Sequence, residues 1–194
     1  MMRFPAQGLA VLLLAACSAP DYTAARDWAR TASIAVDHPS ATAQAVARDG
    51  TEAMRDALSL TLAALARMAD DGVLPYPEDP FVALATRATA ADTRGGEAVA
   101  SLGRTLRRAT RSNWRAPQVR TAIRTMDPDV QALAAALVRM AGEQTAYAVL
   151  VRRIATDHAM MAARAGDLTD DEMGRSLRAA EDSLRRGLAA LPRG

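Results

Sequence analysis

Beyond residue 20, apolar positions recur every three to four residues through almost the whole chain, and no stretch alternates apolar and polar residues in the manner of a strand. The pattern predicts an all-α fold. Asp21 stands where an N-cap belongs, and Tyr22, Ala25, Ala29, Ala32 and Val36 fall on one face of a first helix. Asp37-His38-Pro39 reads as a turn, after which a second helix runs to about Ala69 with Met54, Leu58, Thr61, Leu65 and Met68 on its inner side and Asp49-Gly50 as a point of interruption. The segment DDGVLPYPEDPF, residues 70 to 81, is the clearest loop. Asp79-Pro80 and Asp127-Pro128 each predict a helix start, because a fixed φ suits the first turn and the missing N–H has no partner to lose there. Gly95-Gly96 is expected to separate the helices between them.

The longest regular pattern predicts one helix over about 128–165. Val130, Leu133, Leu137, Met140, Gln144, Tyr147, Val151, Ile154, His158, Met161, Ala165 and Leu168 keep a seven-residue register, and Arg139, Glu143, Arg152, Arg153, Asp157 and Arg164 fall off that seam. Gly166 suits its C-terminal end. Thr169 with Glu172 matches a capping box, and Leu168 with Met173 matches the accompanying staple, so a further helix is expected over about 170–190. Its stripe is Met173, Leu177, Ala180, Leu184, Leu188 and Leu191. A short connection between two such helices predicts an antiparallel pair, and residues 21–194 read as one Ala-rich helical bundle.

The first twenty residues, MMRFPAQGLAVLLLAACSAP, differ from the rest: Arg3 precedes an unbroken apolar run from Leu9 to Ala16, followed by Cys17. This predicts a signal peptide over residues 1–16, since a membrane-spanning helix needs roughly 20 apolar residues. Leu14-Ala15-Ala16-Cys17 resembles the lipobox of bacterial lipoproteins. The resemblance implies cleavage before Cys17, a diacylglyceryl thioether on its sulfur and acylation of its new amine, hence attachment to a lipid membrane. It implies a cell-membrane or outer-membrane location facing the periplasm, and Ser18 after the Cys implies outer-membrane sorting where such a membrane exists. Residues 17–20 then form a tether that spans at most about 14 Å, so the folded body is expected close to the bilayer.

Composition closes several chemistries. All 24 basic residues are Arg, so phosphate-loop lysines, Schiff bases and Ser-Lys dyads are excluded. A single Cys excludes intrachain disulfides, CxxC centres and thiolate zinc sites. The formal charge of +2 gives no reason to expect nucleic acid, and export would remove the protein from it. The charge is unevenly placed, however: no acid occurs between Glu97 and Asp127, whereas Arg104, Arg107, Arg108, Arg111, Arg115, Arg120 and Arg124 do. On a helical projection Val99, Leu102, Leu106 and Ala109 centre on one face and Arg104, Arg107, Arg108, Arg111 and Arg115 on the other. Solvated faces usually mix acids with bases, so an all-cationic face predicts contact with an anionic surface, and membrane phosphate is the nearest one. The acids at Asp70-Asp71 and from Asp167 to Glu172 offer internal neutralisation instead.

His158, between Asp157 and Met160-Met161, raises the question of copper, but it lies on the helix seam and reads more simply as a core polar residue; His38 reads as a turn residue. Neither sits in a hydrolase motif, and no cofactor is expected. The sequence thus predicts a non-catalytic scaffold or interaction module of the cell envelope with a protein partner there. The competing reading is a small-ligand or metal carrier using Gln144, Tyr147 and His158 inside the bundle.

Overall fold

The computed structural model describes residues 20–43, 45, 47–70, 72, 74, 79–111 and 118–191. They form seven α-helices and no strand: α1 (Thr23–Val36), α2 (Arg48–Ala69), α3 (Phe81–Ala91), α4 (Thr93–Arg111), α5 (Val119–Ala141), α6 (Ala146–Ala163) and α7 (Asp171–Ala189). The all-α bundle expected from periodicity is therefore the fold. Cys17, with the segment resembling a lipobox, and Arg115 lie outside the described residues, as does most of the loop before α3.

The inner faces follow from the stripes. Ala25, Trp28, Ala29, Ala32 and Val36 of α1 are fully buried, as are Met54, Leu58 and Met68 of α2 and Met173, Leu177 and Leu184 of α7. Asp21 and Asp79 stand one residue ahead of the N-caps of α1 and α3, which are Tyr22 and Pro80, and their carboxylates accept from Thr23 N at 2.8 Å and Phe81 N at 3.0 Å. Helices α1 and α2 run antiparallel: Ser33 and Ser59 exchange hydroxyl-to-carbonyl bonds at 3.0 and 3.1 Å, while Arg26–Asp70 (3.0 Å) and Arg55–Asp37 (3.5 Å) tie the two ends.

Five features differ from the sequence reading. The helix expected over about 128–165 is two helices, α5 and α6, folded into an antiparallel hairpin. Gly142 adopts φ 86°, a left-handed conformation that ends α5, and Thr145 restarts the chain by accepting from Ala148 N at 3.1 Å. Arg152 secures the turn by donating to the carbonyl of Glu143. The heptad survives because both arms bury their own stripes, Val130, Leu133 and Leu137 on one side and Val151, Ile154 and Met161 on the other. Conversely, Asp127-Pro128 starts nothing: Pro128 lies inside α5, because Ala122, Ile123 and Met126 ahead of it are fully buried and hold that turn helical. Pro128 and Arg124, whose carbonyl loses its donor, are both exposed, so water can replace the missing bond.

Gly95-Gly96 does not separate helices; the break falls at Asp92, whose side chain caps α4 through Gly95 N (2.6 Å) and reaches Arg139 of α5 (2.6 Å). The two glycines are needed inside α4 for contact: a Cβ on Gly95 would meet Met54 Sδ at 2.5 Å, and one on Gly96 would meet Thr89 Cα at 2.6 Å. Asp49-Gly50 likewise lies within the first turn of α2. Finally, Thr169 and Glu172 form no capping box. The Thr169 hydroxyl accepts from Arg120 Nη2 at 3.1 Å, and Glu172 pairs with Arg164 at 3.5 Å.

The expected antiparallel α6–α7 pair is present, with Gly187 against Leu150, although α7 packs chiefly on α1. Close approach at Gly96 predicts that Gly96→Ala lowers stability by about 1–3 kcal/mol in urea unfolding. Gly166→Ala, at an exposed site with no neighbour within 4 Å of the new methyl, should stay within about 0.5 kcal/mol of the parent.

Candidate functional site

The amphipathic helix read from residues 99–115 is α4, as far as its described residues reach. Val99, Leu102, Leu106 and Ala109 are buried, and Arg104, Arg107, Arg108 and Arg111 are exposed. Arg107 pairs with Asp79 at 2.7 Å. Arg104, Arg108 and Arg111 have no carboxylate partner among the described residues. Of the acids that offered neutralisation, Asp70 pairs with Arg26 (3.0 Å), Asp167 and Glu172 pair with Arg164 (3.1 and 3.5 Å), and the exposed Asp170 and Asp171 make no ion pair with α4 among the described residues. Asp71 lies outside the described residues. The α4 face therefore keeps most of its positive charge.

Its position relative to the start of the chain follows from helix pairings. Helix α6 runs antiparallel to α1, through Trp28 with Asp157 and Tyr147 with Val36, and antiparallel to α5, through Asp127 with His158. Helices α1 and α5 therefore point the same way. Because α4 is antiparallel to α5, as the Arg139–Asp92 and Gly95–Ala136 contacts require, α4 ends at the same end of the bundle at which α1 begins. Arg108 and Arg111 stand at the end of the bundle where the described residues begin, at Pro20.

A second cluster is buried. Trp28 Nε1 donates to Asp157 Oδ2 at 3.3 Å, and Arg153 Nε donates to Asp157 Oδ1 at 3.0 Å. Next along α6, His158 Nδ1 is 2.8 Å from Asp127 Oδ1, which also accepts from Gln131 Nε2 at 3.0 Å. Gln131 donates as well to the Ala155 carbonyl at 2.9 Å. The His158 bond, helped by Gln131, holds the Asp127 carboxyl below the usual carboxylate range against the opposing effect of its burial. His158 is fully buried, and its Nε2 meets no hydrogen-bond partner. The pair has the orienting half of an acid–base dyad, yet the imidazole presents no proton-transfer atom to solvent. In this conformation it ties helices together.

The polar groups considered for a carrier do not converge. Gln144 is exposed in the turn between α5 and α6. Tyr147 is buried and donates to the Val36 carbonyl at 2.9 Å, satisfying the end of α1; burial raises its phenol pKa. His158 lies three turns further along α6. Among the described residues no group of three or more His, Cys, Asp or Glu stands where a metal ion could be held. Asp157, placed off the seam by periodicity, is 6% exposed, and the roles of Trp28, Asp127 and Gln131 were not read from the sequence. The available signal was the Trp28 indole, whose N–H needs an acceptor once buried.

No protein-family profile matches the chain, and neither a curated protein nor a solved structure is significantly similar to it.

Removing the imidazole leaves a cavity and strips Asp127 of a donor, so His158→Ala should cost about 2–4 kcal/mol in chemical denaturation. A carboxylate with a lowered pKa contributes stability above its ordinary value of 3.8 and loses it as pH falls through the folded value. The parent should consequently lose more stability between pH 5 and pH 3 than Asp127→Asn, compared by urea midpoints.

Proposed function

We propose that the protein is an exported lipoprotein, anchored through acylated Cys17, whose helical body is a non-catalytic scaffold or protein-interaction module of the cell envelope. Residues 1–16 act as the signal peptide, and the lipidated protein faces the periplasm from the cell membrane or the outer membrane. The lipobox-like Leu14-Ala15-Ala16-Cys17 supports the anchor. The engagement of both histidines supports a non-catalytic body: His38 with Ser40 in a turn at 2.8 Å, and His158 with Asp127 in the core.

One observation carries the membrane-facing part of this reading: α4 delivers its unpaired arginines to the end of the bundle where α1 begins. A tether of about 14 Å from Cys17 brings that end to the bilayer, where each Arg near anionic headgroups contributes roughly 1 kcal/mol. The acyl chains supply retention, at about 0.8 kcal/mol per buried methylene, and the arginines supply orientation.

The test separates the two contributions. In a Cys17→Ala background, the protein should sediment with phosphatidylglycerol vesicles and release them as salt rises. Changing Arg104, Arg107, Arg108 and Arg111 to Gln should weaken that binding at least tenfold with the helical circular dichroism unchanged. Equal binding by the two forms contradicts the proposal.

A further inference from the structure

Helix α3 has an outer surface unlike that of the other exposed helices. Val82, Ala83, Thr86, Thr89 and Ala90 are exposed, Val82 to 63%, and none carries charge. The one charged residue of the helix, Arg87, turns to Asp49 at 2.6 Å. Both threonine hydroxyls bend back onto the helix, Thr86 to the Val82 carbonyl at 3.2 Å and Thr89 to the Ala85 carbonyl at 2.8 Å. Their hydrogen-bonding capacity is thereby partly met from within, which leaves methyl groups for the outer surface. A helix that packs on one side normally carries charge on the other, so an uncharged outer row calls for a cover.

The chemistry of that cover is set by the neighbouring helix. Helices α3 and α4 enclose a groove of about 260 Å³, in which Phe81, Val82, Ala85 and Ala100 are joined by Arg104 and Arg107. Arg108 and Arg111 continue the cationic row beyond it. Asp79, bound to Arg107, is the one acid lining the groove. A second copy of this chain on the same face would set these arginines against their equivalents, which opposes self-association. A bilayer with anionic headgroups offers phosphate to the arginines and, a few ångströms deeper, hydrocarbon to a shallow apolar row.

The geometry points to the α3–α4 face as a membrane-contact surface that lies flat on an anionic bilayer, with Val82 and Ala83 entering the headgroup boundary and Arg104, Arg107, Arg108 and Arg111 on lipid phosphate. This rests on the membrane reading above and adds an apolar element and an orientation to it. It requires no acyl group, since the face is complete in the folded body.

Depth measurement at a single site tests it. In the full chain carrying Cys17→Ala, Val82→Cys introduces the sole thiol, at an exposed position, and takes an environment-sensitive fluorophore. Thr156→Cys in the same background places the label on α6, which packs on α1, α5 and α7. With phosphatidylglycerol vesicles the probe at position 82 should shift to the blue and lose at least half its emission to nitroxide-bearing lipid, whereas the probe at 156 should do neither. Phosphatidylcholine vesicles should leave both unchanged. An unlabelled Val82→Asp form should bind phosphatidylglycerol vesicles at least fivefold more weakly.

If position 82 stays in water while the chain still sediments in an arginine-dependent way, this face is not the contact and the membrane reading survives. If sedimentation is indifferent to the arginines, both fall. Shielding of position 82 by raised protein concentration alone, or only by an acidic protein, would assign the face to a protein partner and overturn the inference.

Discussion

Two adjacent residues of α6 fix the arrangement on which the other features depend. Asp157 reaches Trp28 of α1 and His158 reaches Asp127 of α5, so one turn of a single helix binds two of its neighbours through polar contacts at 3.3 and 2.8 Å. Such contacts are directional where apolar stripes are not, and an unpaired carboxylate or indole N–H in that environment costs about 1–3 kcal/mol. They hold α1 and α5 parallel to each other. That in turn places the end of α4, and its arginines, at the same end of the bundle as the start of α1.

Small residues make the rest of the arrangement possible. Alanines along α1, the reciprocal Ser33–Ser59 contact and the glycines of α4 let backbones approach closely, so the bundle closes with few aromatic residues. Trp28 and Tyr147 are spent on polar anchoring: the indole on Asp157, and the phenol on the last carbonyl of α1. A bundle built in this way leaves its charged groups for the outside, and on α4 beyond Glu97 those groups are all arginine.

The buried stripes of α1, α2, α4 and α7 were legible because each depends only on spacing within one helix. The break at Gly142 was not, because the two arms of the α5–α6 hairpin keep the same seven-residue phase across the turn; the glycine and Thr145 carried the only signal, and the periodicity masked it. Pro128 misled in the opposite sense, since burial of Ala122, Ile123 and Met126 outweighs one missing hydrogen bond. The polar cluster around Asp157 was illegible for a different reason. Its burial depends on an indole 129 positions away, and no local pattern encodes that pairing. The uncharged face of α3 was plain in its letters, but its meaning depends on the arginines that α4 sets beside it.

Cys17 and the membrane surface make one account, and the covalent step is its centre. The measurement that tests it most directly is the intact mass of the protein extracted from membranes of a bacterial host. The account predicts a chain from Cys17 to Gly194 carrying a diacylglyceryl group and an amide-linked acyl chain, with the added mass lost in Cys17→Ala. A chain cleaved elsewhere, or one that begins at Cys17 without lipid, would contradict it.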